Sequence, residues 1–320
     1  MGIKLANVLK GSLDTLNVVV RPFDGFIFLC GGAIESKAET VASARHYALS
    51  RMDKSGSIAG RRVVIAEKMT TLMQGDDYND LLEFEEHIAA LCACVLIFVE
   101  SPGSIAELGS FSVMRNLAPR LLVVCEQNFE SNVSPSFIFL GPLASLRRRR
   151  NESVQMFPIS SEKEGVLGTD SELLDECWEY IEEAVINSIR RPIPESKLDK
   201  NELSHQMVLV ASLIDLLVAI KVGELEEVLH LFDLYLHGKP LRRILRILEQ
   251  FELISAKTYG NDQFYHSALR QPLVNFKPHP DSGVQLFDSV RFKIGMLNRF
   301  EEDDARRAKA IKAFLRGVAA

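Results

Sequence analysis

The chain of 320 residues is 47% hydrophobic and 25% charged, with a formal net charge of −6 at pH 7, which is ordinary for a soluble globular protein of about two domains. Its longest apolar run, residues 207–220, contains Asp215 and is shorter than the roughly 18 to 20 apolar residues that span a bilayer, so we expect no membrane span. The N-terminal residues lack the apolar core and cleavage site of a signal peptide, which predicts a cytoplasmic protein.

The cysteines and histidines argue against disulfides and metal chemistry. Cys30, Cys92, Cys94 and Cys125 lie in or beside apolar runs, which is typical of reduced, buried thiols. Cys92 and Cys94 are too close together for the usual Cys-x-x-Cys pair, and the seven histidines have no metal-ligand spacing such as H-E-x-x-H. We therefore expect no metal site and no resident cofactor.

Through the first half of the chain, short apolar runs alternate with longer polar or amphipathic stretches. The runs at 26–30, 63–66, 95–99 and 121–125 predict strands, and the alternation is the βαβ signature of a parallel sheet. An amphipathic pattern over residues 171–189 predicts the helix that closes this first domain. The predicted fold of the first domain is therefore α/β.

Two prolines within residues 191–196 predict a linker, with the domain boundary between 191 and 202. We predict a first domain over residues 1–192 and a second, mainly helical domain over 200–320. Helices expected at 207–222, 225–231 and 239–253, followed by a hairpin within 257–266, resemble a winged helix. Its third helix would present Arg242, Arg243 and Arg246 to nucleic acid or a protein partner, and residues 290–320 predict a charged, solvated helix.

The stretch 94–109 carries the clearest chemical signal. An apolar run ends at a Ser-Pro-Gly turn, and a helix is expected to begin there with Glu107 in its first turn. Ligands of open α/β sheets bind beyond the carboxyl ends of the strands, which would place Glu107 beside a ligand. The same residues also fit a capping box in which Glu107 bonds back to the Ser104 amide, and the spacing alone favours the cap.

Separate pieces of the chain are expected to meet at that sheet edge. They are Cys30-Gly31-Gly32 after the first strand, Glu67 after the second, Glu85 upstream of the third, and residues 100–107 after it. Glycines allow the backbone to approach a phosphate or sugar closely, but tight turns use a Gly-Gly pair equally, and the pattern is not G-x-G-x-x-G. A carboxylate can attack the anomeric carbon of a ribosyl group while a second acid assists departure of the base, roles that Glu107 and Glu85 could fill.

The stretch from Glu100 to Phe111 reads ESPGSIAELGSF and resembles the G-x-x-x-E-L-G motif of the nucleoside deoxyribosyltransferase family. The resemblance implies a parallel-sheet, Rossmann-like fold with Glu107 as the glycosyl nucleophile and Glu85 as the upstream acid, Glu standing in place of Asp. It implies substrate contacts by the following residues: Cys30, Gly31, Gly32, Glu67, Glu100, Ser101, Gly103 and Ser104. Ser136 stands where the transferases have an Asn, a departure that favours hydrolysis or attack on a nucleotide over nucleoside transfer.

Residues 27–32, 100–104 and 137–142 are similar to the effector proteins of type II retron antiphage systems, which join this domain to a C-terminal winged helix. The resemblance implies a toxin that is held inactive by a retron reverse transcriptase bound to its multicopy single-stranded DNA (msDNA). It further implies an N-glycosidase acting on NAD or a related nucleotide, in a homo-oligomer.

Two other hypotheses fit the sequence. In one, the chain is a nucleotide-sensing, DNA-binding regulator whose pocket binds without cleaving. In the other, it is a structural partner of a ribonucleoprotein, and Glu107 is only a helix cap.

Overall fold

The computed structural model describes residues 3–21, 23, 25–34, 41–52, 56–69, 78–127, 136–163, 166–191 and 194–318. Its contacts divide the chain into two compact units. The sheet unit comprises Asp24–Thr70 and Ile88–Pro192, and the helical unit comprises Met1–Phe23, Thr71–His87 and Ile193–Ala320.

The helices are α1 (Leu5–Lys10), α2 (Ala44–Ser50), α3 (Leu81–Ala90), α4 (Pro102–Val113), α5 (Ala144–Arg149), α6 (Ser171–Ile189), α7 (Leu203–Leu216), α8 (Val222–His230), α9 (Lys239–Gln250), α10 (Ser289–Asp303) and α11 (Ala305–Val318). The strands are β1 (Leu13–Val20), β2 (Phe26–Cys30), β3 (Ser57–Ile58), β4 (Arg61–Val64), β5 (Cys92–Phe98), β6 (Leu121–Glu126), β7 (Val154–Phe157), β8 (Ser160–Lys163), β9 (Val166–Thr169), β10 (Ser196–Lys197), β11 (Ile254–Tyr259), β12 (Asp262–Ser267) and β13 (Val274–Pro278).

The sheet unit is built on a six-stranded sheet in the order β3-β4-β2-β5-β6-β7. The strands from β4 to β7 in this order pair in parallel, and β3 pairs antiparallel at the edge. Every residue of β2, β5 and β6 is buried, as expected for parallel strands covered on both faces. The predicted parallel α/β sheet is confirmed. Because the chain passes from β2 to β4 on one side and later to β5 on the other, the topological switch point lies between β2 and β5.

Helix α6 covers one face of this sheet and contacts β5, β6 and β7. It begins after Asp170, whose carboxylate accepts the N–H groups of Glu172 and Leu173, and its buried residues recur at three- or four-residue steps. The ring of Trp178 packs against Tyr47 of α2, with 5.6 Å between the ring centroids. The predicted helix over residues 171–189 is confirmed.

The helical unit contains α7, α8, α9 and the antiparallel hairpin β11–β12 in that order. Ile220, between α7 and α8, forms an antiparallel bridge with Tyr265 of the hairpin. The prediction that the first helix continues to Val222 is wrong, because the backbone turns at Val218 with a φ of +66° and α8 begins at Val222. Helix α7 also begins earlier than predicted, at Leu203, and α8, α9 and the hairpin overlap their predicted ranges.

The N-terminal segment lies in a different unit from the one expected. Strand β1 pairs antiparallel with β10 and with β13, so Met1–Phe23 groups with the chain after Ile193 and not with the rest of residues 1–192. Thr71–His87 also belongs to the helical unit. The predicted linker includes residues 192 and 193, which lie outside the described residues.

The expectation of a single helix over residues 290–320 is wrong, since the chain breaks at Asp304 into α10 and α11. The Asp304 carboxylate accepts the N–H of Arg307, which starts the new helix, and also bonds the Arg307 side chain. All five cysteines are buried and none forms a disulfide, and the burial predicted for the four in or beside apolar runs is confirmed. Among the described residues, no helix is long and apolar enough to cross a membrane.

Candidate functional site

The crevice between the carboxyl ends of β2 and β5 holds the side chain of Glu100. Its Oε1 accepts the N–H groups of Gly32 at 2.8 Å and Arg45 at 2.9 Å, and its Oε2 accepts that of Ala44 at 2.6 Å. Ala44 and Arg45 open α2, so the carboxylate lies where a helix N-terminus would otherwise favour a phosphate. Glu100 is therefore an internal anion that ties the first loop to α2.

The two glycines after β2 are required by the protein's own packing. A Cβ atom on Gly31, whose φ is +156°, would lie 2.7 Å from the Cβ of Arg45 and 2.9 Å from Oε1 of Glu100. A Cβ atom on Gly32 would lie 2.8 Å from the Cβ of Ser43. The pair lets α2 approach the loop, and contact of these glycines and of Cys30 with substrate stays a prediction.

Helix α4 starts earlier than the sequence analysis assumed. Ser101 is its N-cap and accepts the N–H of Ser104 at 3.1 Å, while the Ser104 hydroxyl accepts the N–H of Ser101 at 3.0 Å. Pro102 occupies the first helical position, where proline is favoured. The predicted cap between Ser104 and Glu107 is therefore wrong, and Glu107 lies in the second turn. Ser104 is fully buried and serves the cap.

Glu107 is a half-buried carboxylate with an unusual environment. Its Oε2 is buried and has no hydrogen-bond partner among the residues that the structure describes. Burial raises the pKa of Glu107 and the nearby Arg45 charge opposes that rise; Glu67 raises the pKa further, and a hydrogen bond with Cys30 lowers it. A desolvated carboxylate beside one cation has the properties of an enzymatic base or nucleophile.

Arg45 is one of two residues of this site that the sequence analysis missed. Its guanidinium is buried and binds Glu67 in a bidentate pair, from Nη1 at 2.7 Å and Nη2 at 2.6 Å. The sequence could have indicated that Arg45 is buried, because Arg45 lies on the same helical face as Ala44 and Ala48, which are buried. Glu67, by contrast, keeps more than half of its side chain exposed.

A cavity of about 420 Å³ lies beside the start of α4. Its lining includes Glu100, Ser101 and Ile105 on one side and Glu126, Ser160 and Thr169 on the other. Glu126, at the end of β6, is held by the N–H groups of Ile159 and Ser160. The cavity has the size of a small-molecule site, and Glu107 is not among the residues that line it. Sequence analysis missed Glu126.

Glu85 and the three arginines lie in the helical unit. Glu85 is buried on α3, within the segment Thr71–His87, and its role as an acid stays a prediction. On α9, Arg243 forms an ion pair with Glu83 and lies over the Tyr78 ring, 5.3 Å from its centroid. Arg242 is exposed, and Arg246 is half-buried. Arg243 is thus bound within its own unit, while contact of these arginines with a partner stays a prediction.

The profile of the STM3845 retron effector protein family matches residues 41–256, more than half of the chain. The chain belongs to this family. The match confirms the resemblance to retron effectors. It includes every candidate residue named above except Cys30, Gly31 and Gly32, which precede it.

Two curated Escherichia coli proteins are similar to part of the chain. The "Retron Ec86 putative ribosyltransferase/DNA-binding protein" is 33% identical over 129 residues, which cover 40% of this chain and 39% of that protein. The "Retron Ec73 putative ribosyltransferase/DNA-binding protein" is 27% identical over 131 residues, 40% of each chain. The similarity thus spans about two fifths of each relative's length.

Proposed function

We propose that this retron effector is a toxin with N-glycosidase activity, in which Glu107 attacks the anomeric carbon of NAD or a related nucleotide. The observation that carries the proposal is the buried Oε2 of Glu107, which lacks a hydrogen-bond partner among the described residues. A buried carboxylate oxygen without a donor costs stability, so its retention favours a chemical role. The ribosyltransferase names of the two relatives support the same chemistry.

The proposed reaction proceeds in two steps. A carboxylate oxygen of Glu107 forms a bond to C1′ while the N-glycosidic bond breaks and its electron pair leaves with the base. A purine or pyrimidine base takes a proton from an acid as it leaves, whereas the cationic nicotinamide of NAD leaves as a neutral molecule without one. The resemblance assigns that acid to Glu85, a role that rests on the sequence alone. Water then attacks C1′, gives its proton to the conjugate base of the acid, and releases the sugar from Glu107.

One feature favours cleavage of a nucleotide over nucleoside transfer. Ser136 replaces the Asn of the transferases, and its hydroxyl is buried without a partner among the described residues. Ser136 lies shortly before the π-helix Phe139–Leu143, which contains most of the stretch 137–142 that resembles retron effectors. Glu100 fills the anion position at the start of α2, so the substrate phosphates would bind elsewhere, with Ser101 and Gly103 as the remaining candidates.

The helical unit is the proposed binding region for the reverse transcriptase and msDNA. The order of α7, α8, α9 and the β11–β12 hairpin supports a winged helix, and the relatives' names include DNA binding. Arg242 is the exposed arginine of α9, whereas Arg243 would have to leave Glu83 to reach a phosphate. Assembly into a homo-oligomer is part of this proposal and comes from the resemblance.

The activity test is chromatography of a nucleotide mixture that includes NAD, after incubation with wild-type protein or with Glu107→Gln. A matched control is Glu152→Gln, because Glu152 is exposed and lies outside the candidate site. The proposal expects release of free base by wild type and by the Glu152 variant and not by Glu107→Gln. Equal release by wild type and Glu107→Gln would refute the assigned nucleophile.

The second candidate function is a nucleotide-sensing, DNA-binding regulator that does not cleave its ligand. The basic residues of α9 and the DNA-binding names of the relatives favour it. It predicts that nucleotides bind and are recovered unchanged, and that duplex binding weakens with salt and with Arg242→Ala. Absence of salt-sensitive DNA binding would exclude it.

A further inference from the structure

We propose that the helical unit carries a second ligand site, a cavity beside the start of α10 that binds one nucleotide, with its phosphate on Arg270 and the first turn of α10 and its base against Phe287. The cavity has a volume of about 350 Å³, and every described residue that lines it belongs to the helical unit. None of these lining residues comes from α9, so the cavity is separate from the arginines of that helix. The inference goes beyond the proposed N-glycosidase and does not depend on it.

The cavity is enclosed by regular structure. Strands β1 and β13 pair Val20 with Val274, and the N–H of Arg21 extends this pairing by binding the Leu273 carbonyl at 2.8 Å. The loop after the β11–β12 hairpin, helix α7 and the start of α10 provide the other walls. Walls of this kind form a pocket before its ligand arrives, as small-molecule sites usually do, and the volume suits one nucleotide.

Cations outnumber anions among the residues that line the cavity. Arg21 pairs with Glu195 at 2.8 Å, and Lys293 pairs with Asp215 at 2.5 Å. Arg270 is exposed, and its side chain has no ion pair among the residues that the structure describes. The surplus of positive charge predicts an anionic ligand, and a planar guanidinium suits a phosphate group.

The first turn of α10 opens into the same cavity. Ser289 and Val290 both line it, and the N–H groups of the first residues of a helix have no acceptor within that helix. The Asp288 carboxylate caps the helix by accepting the N–H of Arg291 at 2.9 Å. Within the described part of the chain, the N–H groups of Ser289 and Val290 are therefore left for a ligand, and a helix N-terminus favours an anion there.

Ser212 of α7 lines the cavity with a hydroxyl that the protein itself does not use. The residue is 5% exposed, and its Oγ has no hydrogen-bond partner among the described residues. A buried hydroxyl without a partner costs stability, and the neighbouring residues Ala211 and Leu213 on α7 are apolar. A ligand that bonds this hydroxyl accounts for a serine at this position.

The remaining lining groups suit a nucleobase. The half-buried Phe287 ring packs against Phe276 and Phe292, with ring centroids 6.4 Å and 5.4 Å away. An aromatic ring held in place in this way offers a surface on which a base can stack. The side-chain amides of Gln271 and Asn275 can donate to and accept from the edge of that base. One nucleotide therefore matches the charge, the aromatic ring and the polar groups of the cavity together.

Three variants distinguish a ligand site from a packing defect. Arg270→Ala removes a phosphate donor and should weaken nucleotide binding by about tenfold or more, the loss expected for one hydrogen bond to a charged group. Ser212→Ala should weaken binding by about threefold and leave the fold intact, because the hydroxyl that it removes has no partner among the described residues. Arg299→Ala is the matched control and should leave the affinity unchanged, since Arg299 is exposed on α10 and does not line the cavity.

The experiment is isothermal titration calorimetry of the full chain carrying Glu107→Gln, so that the proposed nucleophile cannot consume the probe. The probes are AMP, GMP, CMP and UMP, with adenosine and inorganic phosphate as fragments. At least one nucleotide should bind about tenfold more tightly than either fragment, with an affinity that falls in Arg270→Ala and Ser212→Ala and not in Arg299→Ala. Absence of saturable binding, equal affinities of Arg270→Ala and Arg299→Ala, or equal binding of inorganic phosphate overturns the inference.

Photocrosslinking then locates the bound nucleotide. An azido derivative of the nucleotide that binds should label peptides within residues 269–293, and Arg270→Ala should abolish that label. Labelling confined to the sheet unit would overturn this site and leave the proposed function in place. Competition by a short single-stranded oligonucleotide of the same base identifies the source of the ligand. Displacement assigns the site to a nucleotide within a single strand, and failure to displace assigns it to a free nucleotide.

Discussion

Replacing Glu100 by Gln tests the claim that an internal anion holds the switch-point crevice. Gln offers one acceptor oxygen and a donating NH₂ group. If its oxygen replaces Oε1, Gly32 and Arg45 keep an acceptor, but the NH₂ group then faces the Ala44 N–H, which now binds Oε2 at 2.6 Å. One buried N–H without an acceptor costs about 1–3 kcal/mol, and the two remaining bonds weaken because their acceptor is neutral. We expect the free energy of unfolding of the sheet unit to fall by about 2–4 kcal/mol.

The assay is urea unfolding followed by tryptophan fluorescence. Trp178 is the single tryptophan of the chain and is buried in the core of the sheet unit, so its signal reports that unit. Glu152→Gln, at an exposed position, provides the control and should change the unfolding free energy by less than about 0.5 kcal/mol. A change of that small size in Glu100→Gln would refute the structural role of its carboxylate.

Three further substitutions have expected outcomes. Gly31→Ala should destabilise the sheet unit by about 1–3 kcal/mol more than Gly56→Ala. Both glycines have a positive φ, but only at Gly31 would a Cβ atom meet a close neighbour. Equal urea midpoints of the two variants would contradict this. Gly109→Ala, in open space on α4, should raise the melting temperature through helix propensity worth up to about 1 kcal/mol; a stabilised but inactive variant would assign this glycine to function. Arg307→Ala should lower the free energy of unfolding of the helical unit by about 3–5 kcal/mol, because the Arg307 side chain is buried in its ion pairs. Arg306→Ala, at an exposed ion pair, should lower it by about 1 kcal/mol or less. Similar losses in the two variants, measured by urea unfolding, would contradict this assignment.

Four of the six strands of the sheet were predictable because they contain apolar runs, whereas the edge strands β3 and β7 were not predicted. Helix α6 was predictable because its buried residues follow the helical period. Strand β1 was not, because Leu13–Val20 does not alternate regularly between buried and exposed residues and its partners lie in Ser196–Lys197 and Val274–Pro278. Local pattern carries no information about pairing over such separations in the chain.

The residues of the candidate site were predictable only where they lie in motifs that resemble a known family. The start of α4 was predicted wrongly because either Ser101 or Ser104 could be the N-cap. In the structure the N-cap is Ser101, and Pro102 follows it at the first helical position. The place of Arg45 in the site was not predictable from local pattern, because it depends on a tertiary contact with Glu67, which follows a different strand. Arg243 would be assigned to an external partner by any reading of α9 alone, because Glu83 lies far away in sequence.

The most direct measurement of the central claim is the mass of the Glu107 peptide after rapid acid quenching of wild-type protein with NAD and with other nucleotides. The account predicts a glycosyl ester on Glu107 that forms with a substrate and is absent from Glu107→Gln. Base release without any adduct on this peptide, at a rate that Glu107→Gln retains, would contradict it.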